Sequence, residues 1–503
     1  MKICLISPYE SAAAYGLRII SAALKREGHQ VFLVLMPLDF RDPVPEKALS
    51  RVAEIASECR LVGVSLSSNY MRTAIKITEG IKKINPDLPV MWGGIHPTLK
   101  PLECLDYCDM SAAGEAEEAV CELANRIQNG EPYYDTLNFH FKTPEGKIIS
   151  NPVRPLQQNL DSIPFPDYFK QDHYILKDDR LVPVTDELLN ENLQGQYLTL
   201  STRGCVHSCA FCCNDFLKQL YAGDKRFRKR SIENVIEECE QAKENLPWIT
   251  EILFDDDAFM ARSLKNLKKF GRLWKERVNI PFFVTGITPA GLTEDKLEVL
   301  LDAGLRRIRV GIQTASDRVN YDIYNRRISR EKAEKSLEII ERHKERLARH
   351  HYDFIIENPW ETSEENLETL RFLLKIPRPW AINICSLTFY PGTALHERAV
   401  KEGIISDDFE EVYDKSYKVY KPTYINRLFY LFCQSDLPVW VLSLFVNKWI
   451  IKLRLNYPLW WGYVALRDTK RYLRNLKMKF IKPGQHQHPS VKDHSKGEKG
   501  ERP

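Results

Sequence analysis

The C-terminal part of this 503-residue sequence lacks the roughly 18 to 20 consecutive apolar residues that a spanning helix needs, because Asp436, Pro438, Asn447 and Lys448 interrupt every candidate. No basic segment followed by an apolar stretch and a cleavage site opens the chain, so MKICLISPYE predicts a protein that stays in a reducing, cytoplasmic compartment. There, its twelve cysteines are not expected to pair as disulfides. Net charge is nearly absent as well: +4 over this length argues neither for a nucleic-acid partner nor against one. What is present is average for a globular protein, with 44% hydrophobic and 28% charged residues, which excludes wholesale disorder and a polytopic membrane protein. Single cores stop growing at roughly 250 to 300 residues, so at least two domains are expected.

Residues 1–130 alternate short apolar runs (Lys2 to Ile6, Gln30 to Leu35, Leu61 to Leu66, Pro89 to Trp92, Met110 to Ala113) with helical patterns. Strands separated by helices become parallel neighbours, which predicts an open doubly wound sheet with its ligand beyond the carboxyl ends of the strands. The loops at that edge contain Ser7-Pro8-Tyr9, Ser65 to Asn69 including Ser67, Gly93-Gly94-Ile95-His96 and Gly114-Glu115. Their small residues suit a large planar ligand approaching closely. Residues 131–195, with Pro152, Pro155, Pro164 and Pro166, read as a linker wrapping the next domain. Over 196–405 six strand candidates alternate with helices, predicting a partial or complete parallel barrel with its chemistry at the C-terminal ends of the strands. Residues 406–482 are aromatic and basic, and 483–503 read as a disordered tail.

Cys205, Cys209 and Cys212 fall on the loop after the first barrel strand. Three thiolates ligate three irons of a cubane and leave the fourth open. Zinc is the competitor, but its ligands normally come as paired CxxC units or with histidine at fixed offsets, and no second pair follows. Adjacent cysteines point in different directions, so Cys213 reads as a neighbour rather than a fourth ligand, and His207 as a surface residue.

The run from Arg203-Gly204-Cys205 through Phe211-Cys212 resembles the CxxxCxxC signature of the radical S-adenosylmethionine (SAM) enzymes. The resemblance implies a [4Fe-4S] cluster on these three cysteines, SAM chelated at the open iron and cleaved by one electron to a 5'-deoxyadenosyl radical, and a flavodoxin or ferredoxin as electron donor. It also implies SAM contacts at Phe211, at Asp255 and Asp256 after the second strand, and at Gly311 and Gln313, where relatives usually carry Gly-Ile-Glu-Ser. Helix capping is the plain alternative for the aspartates. Glu357-Asn358-Pro359-Trp360-Glu361-Thr362 is similar to a Gly-x-Pro-Gly-Glu-Thr turn, and Trp360 in place of glycine is expected to project into the pocket and shape it for substrate.

The N-terminal segment resembles the cobalamin-binding domain that precedes the barrel in one branch of this family, through Gly16-Leu17, Gly93-Gly94-Ile95-His96-Pro97-Thr98 and Gly114-Glu115. This implies cobalamin held by Ser7, Pro8, Gly16, Ser65, Ser67, Gly93, Gly94, His96, Gly114 and Glu115. The stretch after the first strand offers no axial histidine, and the better reading of His96 is packing against the barrel. The implied fold is α/β: an N-terminal doubly wound parallel sheet of the cobalamin-binding type, a (β/α)6 radical SAM barrel and a helical C-terminal region.

Between 421 and 482 twelve basic residues face only Asp436 and Asp468, with Trp440, Trp449, Trp460 and Trp461 among them. Two readings stand side by side: helices lying in a membrane interface, or a cap closing the barrel. The leading function is C-methylation of an unactivated carbon in a hydrophobic or lipid-like small molecule. Other radical rearrangements or cyclisations, methylthiotransfer and a non-catalytic cobalamin or redox sensor are the alternatives. Methylthiotransferases carry a second three-cysteine cluster that Cys4, Cys59, Cys104 and Cys108 do not reproduce. No RNA-binding barrel is evident, so nucleic acid is not an expected partner.

Overall fold

A computed structural model describes residues 1–378, 380–434 and 437–446. It divides into two units, Met1–Ser435 and Asp436–Pro503. In the first unit, β1 (Lys2–Ser7), β2 (Gln30–Leu35), β3 (Leu61–Ser65), β4 (Val90–Gly93) and β5 (Met110–Ala112) lie parallel in the order β5-β4-β3-β1-β2. Helices cover both faces of this sheet, so β1 is buried at every position after Lys2 rather than at alternate ones. The helix Glu46–Ser57, absent from the sequence reading, buries Ala48, Ala53 and Ala56 beside Val52 and Ile55.

The stretch expected to be a linker extends this sheet instead. A hairpin of β6 (Phe139–Lys142) and β7 (Ile148–Ser150) joins antiparallel beyond β5, and β8 (His173–Lys177), parallel to β2, carries β9 (Arg180–Pro183) to the other edge, making nine strands. These strands are three to five residues long, too short for a visible alternation, and the four prolines fall between the hairpins. The connection is tied down at Asp167, which accepts from Ser21 Oγ (2.5 Å) and pairs with Lys25 (2.7 Å) and His173 (3.2 Å). Arg18, fully buried, donates to the Asp167 carbonyl at 2.7 Å and stacks 3.9 Å over Tyr168.

The second sheet begins at β10 (Gln196–Thr199). A two-rung antiparallel pair, β11 (Thr202–Arg203) with β12 (Arg228–Lys229), closes the base of the excursion that holds the cysteines. β13 (Glu251–Phe254), β14 (Phe282–Ile287), β15 (Leu305–Gln313), β16 (Arg349–Ile356) and β17 (Trp380–Ser386) then follow β10 in parallel sequence order. β17 does not pair with β10, so this barrel is open. Its strands alternate: His350, Tyr352, Phe354 and Ile356 are buried, while Asp353 on the other face is partly exposed and bonds across the sheet to Arg309 and Asn383.

After the barrel the chain returns to the first sheet. Asn69 Nδ2 donates to the carbonyls of Tyr413 and Lys415 (both 2.9 Å), and Arg72 pairs with Asp414 at 2.7 Å. The helix Tyr424–Gln434 packs on β17 and on the helix Ser363–Leu373, burying Leu428, Phe429, Leu431 and Phe432. Glu357, at φ +64°, accepts from the Asn426 side chain at 2.9 Å and from the Lys421 amide at 2.5 Å. This part of the C-terminal region is therefore a barrel cap. In the second unit the helix Val439–Phe445 leaves Trp440 69% exposed. Trp449, Trp460, Trp461, the basic residues from Lys448 to Lys482 and the expected disordered tail lie outside the described residues. Among the described residues no helix is long and apolar enough to cross a membrane.

Candidate functional site

Gly204 opens the cysteine loop at φ +80°, and a Cβ there would stand 2.5 Å from the Arg226 carbonyl, so only glycine lets the two arms of the excursion meet. Cys205, Cys209 and Cys212 are partly buried free thiols. Among the described residues, three ligand atoms within 4.8 Å of one another occur at Glu294, Glu298 and His343 and not at these cysteines. Their sulfurs do not converge as ligands of one zinc ion would. The His207 amide donates to Cys205 Sγ (3.4 Å) and Asn214 Nδ2 to Cys212 Sγ (3.7 Å). A hydrogen bond from the Cys213 thiol lowers Cys212 to about 7, while burial pushes Cys209 up to about 12 against the opposing field of Arg326. From outside, the Ala210 amide donates to the Tyr324 carbonyl (2.8 Å), Asn325 Nδ2 to the Ser208 carbonyl (3.1 Å), and Phe211 meets the Tyr324 ring edge-on at 5.0 Å.

A cavity of about 560 Å³ is lined by the carboxyl edges of both sheets, with Gly93, Gly94 and Gly114 on one wall and Cys205, Asp255 and Asp257 on the other. Gly94 has φ +103°, and a Cβ on it would lie 2.8 Å from the Leu66 carbonyl. A Cβ on Gly114 would lie 1.8 Å from Tyr221 Oη, and one on Gly63 would lie 2.6 Å from Met91 Cε. A Cβ on any of these three would run into protein atoms, so the backbone itself forms this wall as a glycine cradle.

Charge joins the walls. Arg203, two residues before Cys205, pairs with Glu117 (2.5 Å) and Glu115 (3.1 Å), and Arg228 also pairs with Glu115. Burial would lower the Arg203 guanidinium, but Glu117 and Glu115 hold it well above its ordinary value. Burial raises Glu115, and the bonds from Arg228 and Arg203 overturn that and keep it lowered. The Glu115 amide donates to Tyr221 Oη at 2.9 Å.

Residues 199–373 match the radical SAM superfamily and residues 1–124 the B12 binding domain. The chain is a radical SAM enzyme with a B12-binding domain. An uncharacterized methyltransferase of Pyrococcus horikoshii is 27% identical over 80% of this chain and 84% of its own. An anaerobic magnesium-protoporphyrin IX monomethyl ester cyclase of Rubrivivax gelatinosus is 22% identical over 92% and 78%. Among solved structures, the radical SAM methyltransferase TsrM of Kitasatospora setae, with cobalamin and a [4Fe-4S] cluster bound, superposes with a TM-score of 0.64 at 18% identity over 80% of this chain and 78% of that one. The cobalamin-dependent radical SAM enzyme OxsB gives 0.62 at 14% identity over 80% and 61%.

The family implies a [4Fe-4S] cluster, SAM and cobalamin, and the residues present fit them: three free, non-converging thiols at the mouth of the radical SAM domain, and a glycine cradle at the carboxyl edge of the B12-binding domain. Gly16, Ser65, Gly93, Gly94, Gly114 and Glu115 line the cavity. Ser7, Pro8 and Ser67 do not; Ser7 and Pro8 are buried, and Ser7 Oγ has no protein partner. His96 does not line it either. Fully buried, it bonds Ser68 Oγ (3.0 Å) and meets the Tyr413 ring edge-on (5.1 Å), and burial with Lys100 nearby lowers it to about 4. It is a neutral packing residue.

On the radical SAM side the aspartates separate. Asp255 lines the cavity and accepts from Thr285 Oγ1 at 2.6 Å. Asp256 points the other way, 1% exposed, fastening Ser201 (3.0 Å) and Thr202 (2.5 Å) after β10, so its role is the structural one. Successive residues alternate in direction, and the cavity receives Asp257, the third aspartate of the run, in place of Asp256; burial raises its carboxyl. Gln313 adopts φ +72° at a register shift, with its amide folded over Gly311, and neither residue lines this cavity. Phe211 faces Tyr324 instead. Trp360 does not enter the cavity: its Nε1 donates to Glu402 (2.6 Å), Arg398 stacks 4.2 Å over its ring and Phe389 meets it edge-on. An indole with an N–H to satisfy is held by Arg398 of the helix Ala394–Lys401, by Glu402 just after it and by Phe389 before it. No period or motif singles out Tyr324, Asn325, Arg326, Arg228 or Tyr221.

Proposed function

We propose that the enzyme transfers a methyl group to an unactivated carbon of a hydrophobic substrate held between the two sheets. One observation carries the reading: a single cavity is lined by Cys205 and by the Gly93-Gly94 and Gly114 cradle, so a substrate there meets both reactive centres. When bound, reduced cluster and SAM supply a carbon radical that removes a hydrogen atom, and cobalamin supplies the methyl group. Cys205, Cys209 and Cys212 would hold the cluster, Asp255 and Asp257 would orient SAM, and the glycine cradle would fix the corrin by shape. The pairs Arg203–Glu117 and Arg228–Glu115 hold the walls at a set separation.

A hydrophobic acceptor is supported by the exposed Val439, Trp440 and Leu444 of the C-terminal helix and by the basic, aromatic composition after 421. Basic side chains near an anionic membrane contribute about 1 kcal/mol each, so this region would keep the enzyme on a bilayer surface while the cap remains on the barrel. A flavodoxin or ferredoxin would deliver the electron.

The test supplies the reconstituted, dithionite-reduced protein with methyl-deuterated SAM and an apolar-solvent extract of the cells that make it. Deuteromethyl recovered in an extracted product, with 5'-deoxyadenosine formed in step, is the expected result. Deoxyadenosine without methyl transfer would overturn it and favour ring closure, the reaction named for the Rubrivivax relative. Sedimentation with anionic liposomes at low salt checks the surface contact, which fails if the intact protein stays in the supernatant.

A further inference from the structure

The segment that follows β15 turns back at Asn325, in the left-handed region at φ +47°, and brings Arg326 under the cysteine loop. Arg326 is 2% exposed. Its guanidinium donates to the Ile312 carbonyl at 2.6 Å and to the Gly311 carbonyl, and its backbone amide donates to the Asn320 carbonyl at 2.7 Å. Among the described residues no carboxylate stands within ion-pair distance of it. Asp353, whose field reaches it, is taken by Arg309 (2.7 Å) and Asn383 (2.8 Å). The two residues before it are bonded to Ser208 and Ala210, which flank Cys209 in the loop.

A buried guanidinium always carries its charge and offers five N–H donors in a fixed fork. Two backbone carbonyls satisfy part of that fork and none of the charge, and a buried charge without a counter-charge is destabilising. A cubane on three thiolates is net negative, and reduction makes it one unit more so. These contacts, Tyr324 with Ala210 (2.8 Å) and Asn325 with Ser208 (3.1 Å), fix the approach to Arg326 on either side of Cys209.

We propose that Arg326 is the counter-charge of the iron-sulfur cluster, a positioning residue that raises the cluster's reduction potential so that a low-potential one-electron donor fills it. The inference rests on the cluster assignment and not on the identity of the methyl acceptor. The positive charge is fixed in place before the electron arrives, so the more negative reduced state is stabilised more than the oxidised one, without reorganisation.

The experiment is an EPR-monitored redox titration of reconstituted full-length protein, with dithionite as reductant and no substrate present. Wild type, Arg326→Gln, Arg326→Lys and, as an ion-paired surface control, Arg318→Gln are compared, with iron and sulfide measured on each. The glutamine variant is expected to hold a full cluster whose midpoint moves to more negative potential. The lysine variant and the Arg318→Gln control should stay near wild type. An unshifted midpoint in Arg326→Gln, or a lysine variant displaced as far as the glutamine one, would reduce Arg326 to a fastener of two carbonyls and overturn the proposal. If the glutamine variant holds no cluster, the lysine variant decides: near-wild-type iron and potential support the charge, and a folded, iron-free lysine variant overturns it. Failure of C-methylation leaves this titration unaffected, so the two readings fall separately.

Discussion

The two walls of the cavity are made of different chemistry. The B12-binding wall presents backbone and apolar side chains around Gly63, Gly93, Gly94, Ala112 and Gly114, with Glu115 and Glu117 where it meets the other wall, whereas the radical SAM wall presents thiol, carboxylate and guanidinium, among them Cys205, Asp255, Asp257 and Arg228. A wall of backbone recognises a large ligand by shape and fails when volume is added. A wall of fixed charge holds ions and fails when charge or ligand atoms are changed. Each wall is thus expected to be vulnerable to a different kind of substitution.

The largest effect should come from the second wall: Cys205→Ala, Cys209→Ala and Cys212→Ala each lose the cluster outright, while Cys213→Ala keeps it, read by iron and sulfide analysis with EPR. A full cubane in any of the first three would erase the distinction between the walls. On the first wall, Gly94→Val should weaken cobalamin by about 10- to 100-fold, the equivalent of the roughly 1–3 kcal/mol that a disfavoured backbone conformation costs, and leave the cluster intact. Equilibrium dialysis followed by cobalamin absorbance measures it.

Where the walls meet, Glu115→Ala leaves Arg203 and Arg228 with buried, under-compensated charge, and denaturant unfolding should show a loss of about 3 kcal/mol. Removing the exposed pair Arg272–Glu276 should cost no more than about 0.5 kcal/mol.

Acid and base should act on different parts of the molecule. Burial raises Glu361 from the usual 4.5 to about 7, against a bond from Thr314 Oγ1 at 3.1 Å. Its protonated form is the one that folding favours, so that stability is fully present below the unfolded value and is lost as pH rises through about 7. Glu361→Gln should flatten this limb, on the order of 3 kcal/mol. Asp167 behaves oppositely: burial would raise it, but His173, Lys25 and Ser21 hold it well below the usual carboxylate range, so its contribution is present above that range and lost on acidification. The smallest effects are expected off both walls, where His96→Ala should leave the cobalt absorption spectrum of the cobalamin-loaded protein unchanged and Trp360→Ala should leave product formation unchanged.

The two walls were also unequally legible in the sequence. The three cysteines proposed as cluster ligands lie within eight residues of one another, and their spacing makes them visible. The five central strands are announced by continuous apolar runs, because both faces of that sheet are covered. Strands β6 to β9 are short and separated by prolines, so composition hides them. Asp256 and Asp257 are indistinguishable until the turn after β13 decides which one points inward. Trp360 stands where a glycine motif predicts pocket, yet neighbours 29 to 42 residues further on take its ring and its N–H. Arg326 belongs to no motif at all, and only three-dimensional folding brings it to the cysteines.

The clasp between the ends of the first unit has a consequence for biosynthesis. Asn69 waits for a carbonyl 346 residues later, and Arg72 for a carboxylate 342 residues later. At roughly 5 to 20 residues per second a ribosome needs about 20 to 70 s to make that stretch. During that interval the nascent B12-binding sheet, complete from residue 183, carries the Ser68–Tyr70 edge uncovered. A message truncated before codon 412 would leave that edge bare permanently, handing the cell a sheet that is finished in sequence and unfinished in surface.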